Sequence, residues 1–148
     1  MNKINVGRVL LGGLLAGVVL NIGEFLLNGV LLAEEMKSFF TDRNLPPEPS
    51  PGFFVTATVG TFILGVVIVL LYAAIRPRFG AGVKTAIWAG VLAWFCVYVY
   101  VGALYAAMGM VSTGLTVKGA VWGLFEYAIA AIAGAWLYKE DEGKPAMA

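Results

Sequence analysis

Residues 9–32 read VLLGGLLAGVVLNIGEFLLNGVLL, a run that is apolar or glycine except for two asparagines and one glutamate. At a rise of about 1.5 Å per residue, a helix of this length crosses the roughly 30 Å of hydrocarbon in a bilayer. Its small and polar residues recur three or four positions apart, which is the spacing of one helix face. These residues are Gly13, Gly17, Asn21, Glu24 and Asn28. The run therefore predicts a transmembrane helix with one face that is small and then polar.

The composition of the whole chain is that of a membrane protein. Of its 148 residues, 60% are hydrophobic and 13% are charged, whereas about a quarter of a soluble domain is charged. Four apolar stretches are long enough to cross a bilayer, at residues 9–32, 53–75, 83–110 and 115–138. We therefore predict an all-α polytopic membrane protein, a four-helix transmembrane bundle that forms a single domain over residues 1–148.

The basic residues predict how the bundle is oriented. Of the ten Lys and Arg residues, seven lie on the side of the two termini and three lie on the other side. Loops rich in Lys and Arg stay in the cytoplasm, so both termini are predicted to be cytoplasmic. The three outer residues are Lys37, Arg43 and Lys118.

The outer loop, residues 33–52, combines two kinds of sequence. Residues 34–40 read EEMKSFF, which favours a short surface helix. Prolines then follow too closely for a helix to continue, because each lacks an amide donor and restricts the residue before it. They are Pro46, Pro47, Pro49 and Pro51. The loop is interpreted either as a semi-rigid strap or as a recognition loop.

The turn after the second stretch reads RPRFGAG at residues 76–82, and its proline and glycines are expected to end the helix. Residues 71–80, LYAAIRPRFG, and the following KTA at 84–86 resemble segments of small uncharacterised bacterial four-span membrane proteins. The resemblance implies a multi-pass protein of the bacterial inner (cytoplasmic) membrane, and it implies no activity.

A faint internal repeat accompanies these features. Residues 16–18 and 89–91 both read AGV, and residues 71–72 and 137–138 both read LY. Such matches predict two helical hairpins in the same orientation, although short runs of small residues also coincide by chance.

Little catalytic chemistry is available to the chain. Histidine is absent, and Cys96 is the single cysteine. Histidine haem ligation, histidine proton relays and Cys/His metal clusters are therefore excluded. We predict that the protein is not an enzyme, that it has no metal site and no bound cofactor, and that its partners include membrane lipids but no nucleic acid.

Two carboxyl groups, Glu24 and Glu126, are the chemically notable residues. They fall at similar depths in the first and fourth stretches, and no Lys or Arg lies in a span core to neutralise them. A charge in hydrocarbon is costly, so either the acids are protonated or a cation that is not a side chain binds between them. Asn21, Asn28 and Tyr98 are predicted to complete an ion or substrate site with them. The alternative is that Glu24 only joins helices through hydrogen bonds.

Glycines on the same two stretches predict how the helices meet. Gly13 and Gly17 form a GxxxG spacing in the first stretch, and Gly119 and Gly123 repeat it in the fourth. Small residues let helix backbones approach closely in membranes. We expect the two faces to pack on each other and to form a polar seam between the first and fourth helices.

Three functions fit these features. The first is proton- or cation-coupled transport of a small solute at Glu24, similar in outline to small multidrug transporters, which also have four spans and a carboxylate in the first. The long proline-rich loop and the second acid differ from that pattern, so no substrate class is carried over. The alternatives are a non-catalytic accessory or scaffold subunit of a larger membrane complex, and a lipid- or quinone-binding protein. Self-association as a homo-oligomer is also expected, because four helices enclose little volume.

Overall fold

The computed structural model describes residues 4–46 and 48–139, and these contain helices and no strands. Predicted features at Lys3, Pro47 and Lys144 lie outside the described residues. Four helical stretches are long and apolar enough to cross a membrane, which confirms the all-α, multi-pass prediction. We call them spans 1 to 4: Val6–Leu31, Pro51–Phe79, Val83–Ala107 and Thr113–Leu137.

Spans 1 and 3 are interrupted by π-helical turns, whereas spans 2 and 4 are continuous α-helices. The short surface helix predicted in the outer loop is confirmed as well. In chain order the elements are α1 (Val6–Leu26), a π-helical segment (Leu27–Leu31), α2 (Ala33–Thr41), α3 (Pro51–Phe79), α4 (Val83–Trp94), a second π-helical segment (Phe95–Tyr100), α5 (Val101–Ala107) and α6 (Thr113–Leu137).

Serine caps decide where spans 2 and 4 begin. The hydroxyl of Ser50 accepts a hydrogen bond from the backbone N–H of Phe53 at 3.2 Å, and the hydroxyl of Ser112 accepts one from Leu115 at 3.2 Å. Pro51 occupies the first turn of α3, where its missing N–H would have no helical partner in any case. Both spans therefore start two residues earlier than hydropathy predicted.

Glycine, not proline, ends span 2. The prediction that Pro77 stops this helix is wrong, because α3 continues through it to Phe79. In the last turn a proline costs one hydrogen bond only, and the chain leaves the helix at Gly80, which has φ = 85°. Span 3 ends at Ala107, earlier than predicted, just before Gly109 with φ = 70°.

The interior of the bundle is built from small residues, and large apolar side chains point outward. The largest fully buried side chains are Tyr127, Leu20, Ile68 and Val69, and most of the remaining core is alanine and glycine. Large side chains such as Phe25, Phe125 and Trp136 are exposed on the outside. In a membrane this arrangement is stable, because lipid tails solvate the outer side chains while small residues permit close helix packing.

The glycines do not pair as predicted. Gly13 and Gly17 contact span 2 instead of span 4: a Cβ on Gly13 would lie 2.5 Å from the Cα of Val66, and one on Gly17 would lie 2.9 Å from the Cα of Phe62. Spans 1 and 4 nevertheless pack together. Their contact is made by Gly12, whose added Cβ would collide with the carbonyl oxygen of Gly134, and, further along, by Gly23.

The glycines of the two AGV motifs both make close backbone contacts, while the repeat itself stays a prediction. Gly17 meets Gly65 of span 2 backbone to backbone, and Gly90 of span 3 meets the backbone of Tyr127 in span 4. The tyrosines of the matching LY pairs, Tyr72 and Tyr138, are in edge-to-face contact, with ring centroids 5.9 Å apart.

Candidate functional site

Glu24 accepts a hydrogen bond at each of its carboxyl oxygens. The hydroxyl of Tyr98 in span 3 donates to Oε1 at 2.7 Å, and the side-chain amide of Asn28 donates to Oε2 at 2.8 Å. The Asn28 amide also donates to the backbone carbonyl of Glu24 at 3.1 Å. The structure therefore brings together three of the predicted site residues.

Tyr98 reaches Glu24 because glycines in span 4 make room for its ring. A Cβ on Gly123 would lie 2.6 Å from the Tyr98 ring, and one on Gly119 would lie 3.3 Å from it. The ring also meets Tyr127 edge to face, with centroids 5.6 Å apart. Gly119 and Gly123, expected to receive span 1, thus form a notch that positions the hydroxyl partner of Glu24.

Both π-helical segments adjoin this group. Asn28 belongs to the first segment (Leu27–Leu31) and Tyr98 belongs to the second (Phe95–Tyr100). A π-helical turn inserts a residue into an α-helix and redirects the side chains around it, and such turns occur often at functional sites. The two segments therefore aim Asn28 and Tyr98 at the same carboxyl group.

A cavity of about 340 Å³ opens beside Glu24. Glu24 lies at the end of this cavity nearest the middle of the bundle. Its walls are mainly apolar and come from spans 1, 3 and 4 and from α2, and no Lys or Arg is among the residues that line it. The lining residues are Glu24, Leu27, Asn28, Leu32, Met36, Phe39, Val97, Tyr98, Val101, Gly102, Tyr105, Val111, Leu115, Thr116 and Gly119.

A second cavity, of about 540 Å³, lies next to the first, and the two share Phe39 and Leu115 as walls. Apart from Gly114, its other lining residues are polar or charged, including acids of α2 and Lys118 of span 4. The second cavity is thus charged where the first, at Glu24, is mainly apolar.

The helix α2 covers both cavities and is attached at each end. Near its start, Glu35 forms an ion pair with Lys118 at 2.7 Å. This hydrogen bond from the Lys118 ammonium lowers the pKa of Glu35 below its ordinary value. Just past its end, Arg43 donates a hydrogen bond to the carbonyl of Met110 at 2.5 Å, and its guanidinium lies 4.0 Å from the centre of the Phe39 ring.

Glu126 lies behind the cavity, at the contact between spans 1 and 4. Only 5% of its surface is exposed, and its carboxyl packs on Gly23, where a Cβ would lie 2.5 Å from Cδ of Glu126. Because Gly23 precedes Glu24, the two acids are at the same depth, as predicted. Glu126 is not part of the cavity wall.

Asn21 does not line the cavity. Its side-chain amide donates to the carbonyl of Gly17 at 2.8 Å, one turn back on its own helix. Asparagine often makes this local bond, which occupies one of its two N–H donors. The place of Asn21 in a network with Glu24 stays a prediction.

Three features of the site were not predicted. They are the π-helical turns, the contact of Gly23 with Glu126, and the position of α2 over the cavities. The position of Gly23 directly before Glu24, an acid within a span, was a usable signal for the contact of Gly23 with Glu126. Within residues 4–46 and 48–139, no group of three or more His, Cys, Asp or Glu side chains could hold a metal ion.

Comparison of the chain with protein-family models, with curated proteins and with solved structures found no match. Its function is therefore inferred from the residues of the site.

Proposed function

We propose that the protein transports a small cationic solute across the bacterial inner membrane in exchange for protons, with Glu24 as the binding carboxylate. The observation that carries this proposal is the position of Glu24 at the inner end of an open cavity without a basic lining residue. A carboxylate in a site of low dielectric attracts a cation far more strongly than it would in water. The neutralising charge must then come from a proton or from a bound cation.

The walls of the cavity favour an organic cation over a bare metal ion. Beyond Glu24 and Asn28 the lining is mostly apolar, and the rings of Phe39, Tyr98 and Tyr105 are among it. Apolar walls remove the hydrocarbon part of a ligand from water, and aromatic faces attract cations. A cavity of about 340 Å³ accepts a small quaternary ammonium compound.

The distribution of basic residues supports an outward-facing cavity. The cavity lies at the end of the bundle that carries α2 and the loop between spans 3 and 4. The other end carries Arg76, Arg78 and Lys84, and the positive-inside rule assigns that end to the cytoplasm. On this orientation both termini are cytoplasmic and solutes enter from outside.

Self-association remains part of the proposal, because the core of one bundle consists mostly of small, closely packed residues. A scaffold role in a larger complex stays an alternative, but Gly13 and Gly17 cannot be its docking face, since both are buried against span 2. Lipid or quinone binding is the second candidate, favoured by the apolar cavity walls.

Uptake of labelled tetraethylammonium into liposomes that contain the full chain tests the proposal. With an acidic interior, we expect uptake by the native protein and at least about a tenfold loss in Glu24→Gln, because the neutral amide keeps the shape but not the charge. Glu48→Gln makes the same chemical change in the exposed outer loop and should leave uptake unchanged. Equal uptake by the native protein and by a folded Glu24→Gln variant would overturn the proposal. Binding of a neutral lipid or quinone, the second candidate, would not need the charge of Glu24.

A further inference from the structure

Glu126 and Glu24 differ in how their carboxyl oxygens are satisfied. Both oxygens of Glu126 are buried, and among the described residues neither has a hydrogen-bond partner. The indole N–H of Trp122, one turn earlier, is also buried; it lies close enough to act on the Glu126 carboxyl, but it does not reach hydrogen-bond geometry. Among the described residues, an ionised Glu126 would thus have one poorly aligned donor and no opposite charge, and burying an ion in this way is more costly than burying a neutral acid.

Both carboxyl oxygens of Glu24 have hydrogen-bond partners. One oxygen accepts from the Tyr98 hydroxyl, and the other accepts from the amide nitrogen of Asn28, which can only donate. Charge-assisted hydrogen bonds of this kind stabilise the anion. Glu24 therefore has two well-aligned hydrogen bonds at its carboxyl group, whereas Glu126 has none.

The two acids lie at the same depth on spans 1 and 4, which pack against each other. Gly23, directly before Glu24, is in contact with the carboxyl of Glu126. Two neighbouring carboxylates in a region of low dielectric repel each other, so one of them keeps a proton. Of the two, Glu24 has the hydrogen-bond donors that an anion needs, and Glu126 is the more deeply buried.

Other titratable groups near Glu126 do not change this assignment. Span 1 brings Glu24 and span 3 brings the hydroxyl of Tyr98, while span 4 itself contributes Tyr127. The titratable residues of span 2 are in its last turns, which lie toward Gly12 and Gly134 at the other end of the bundle: Tyr72, Arg76 and Arg78.

Building on the proposed function, we infer that the two acids divide the exchange between them: Glu24 binds the cation, and Glu126 holds the proton that is exchanged for it. A cation at Glu24 cancels the negative charge that opposed ionisation of Glu126. The O–H bond of Glu126 then breaks, its electron pair stays on the carboxylate beside the Trp122 N–H, and the proton passes to water that reaches Glu126 when its contact with Gly23 loosens. One positive charge enters and one leaves.

Infrared spectroscopy of the full chain in lipid locates the proton without any ligand. The C=O absorption of a protonated carboxyl group is expected at neutral pH in the native protein and in Glu24→Gln, and it should be lost in Glu126→Gln. Glu126→Met, of similar volume, replaces the Gln variant if that variant does not fold. Persistence of the band in a folded Glu126 variant, or its absence from the native protein, would overturn the inference.

Proton release on binding tests the exchange itself. In weakly buffered detergent, the native protein should release about one proton for each tetraethylammonium bound, because binding and ionisation are linked. Glu126→Gln should bind the probe but release close to none, an effect that a purely structural Glu126 would not produce. Undiminished release from this variant overturns the inference and leaves the proposed function standing. Absence of binding to the native protein overturns the proposed function, and the infrared band then decides alone where the proton resides.

Discussion

At the scale of single residues, Glu24 is defined by the donors that reach it. Tyr98 and Asn28 come from different spans and occupy one carboxyl oxygen each. The sequence predicted Glu24, Asn28 and Tyr98 because polar groups in hydrocarbon are rare. It could not show where the Asn21 amide donates, because spacing gives the face of a side chain but not whether that side chain bonds back to its own helix.

Removing the Tyr98 hydroxyl should weaken the bundle slightly without disturbing its packing. In Tyr98→Phe the ring still fills the notch at Gly119 and Gly123, while Glu24 loses one donor. We expect the free energy of unfolding to fall by about 1 kcal/mol, the usual size of an interhelical hydrogen bond in a membrane. Denaturant unfolding in mixed micelles measures this change in the free energy of unfolding.

Tyr100→Phe is the matched control, because that side chain is in the same π-helical segment and is 58% exposed. Its free energy of unfolding should stay within about 0.5 kcal/mol of the native value. Equal losses in the two variants would show that the hydroxyl of Tyr98 contributes nothing specific.

At the scale of elements, close backbone contact holds spans 1 and 2 together. Gly65 faces Gly13 and Gly17, and a Cβ on Gly65 would lie 2.5 Å from the backbone N of Gly17. The GxxxG spacing predicted that Gly13 and Gly17 receive a helix. It could not predict which helix, because three other spans offer small residues and the choice depends on the packing of the whole bundle.

Gly65→Ala should therefore destabilise the bundle, by about 1–3 kcal/mol, because backbone atoms cannot move aside as a flexible side chain can. Gly60→Ala, five residues earlier in the same helix, is the control, since no atom lies within 4 Å of its added Cβ. Replacement of glycine by alanine in an open helical position is neutral or stabilising by up to about 1 kcal/mol. Thermal unfolding in detergent compares them, and similar midpoints for the two variants would contradict the close contact of spans 1 and 2.

The attachment of α2 should depend on pH through Glu35. Its bond to Lys118 lowers the pKa of Glu35 from the ordinary value of 4.5, so the bond stabilises the attachment of α2 above that pH. The contribution is lost as the pH falls through the lowered pKa. At neutral pH, amide hydrogen exchange in α2 should be faster in Glu35→Gln than in the native protein.

Below the lowered pKa of Glu35, amide hydrogen exchange in α2 should not differ between the native protein and Glu35→Gln. At such a pH, Glu35 is protonated in the native protein and carries no charge, like the Gln. Glu34→Gln, a neighbouring change on the same helix, should leave the exchange rates of α2 unaltered. A difference between the native protein and Glu35→Gln that persists at low pH would contradict this role of the ion pair.

At the scale of the whole molecule, composition and hydropathy were sufficient to predict the class. Four apolar runs gave four spans, because each run must satisfy its backbone hydrogen bonds within a helix when it is in lipid. The cavity was not predictable, since it depends on how α2 lies over the ends of spans 1, 3 and 4. That arrangement follows from contacts between residues far apart in the chain, such as Glu35 with Lys118.

Cysteine accessibility at position 24 tests most directly whether Glu24 faces a cavity that solutes can enter. In a Cys96→Ala background, Glu24→Cys is compared with Ala16→Cys and Ile22→Cys. Ala16 lies in the core and is 0% exposed, whereas Ile22 lies on the lipid-facing surface and is 56% exposed. A small, positively charged thiol reagent added outside intact cells should modify Cys at 24 at least about tenfold faster than at either other position, because only a water-filled site admits a charged molecule. Modification at 24 no faster than at 16 would contradict the account.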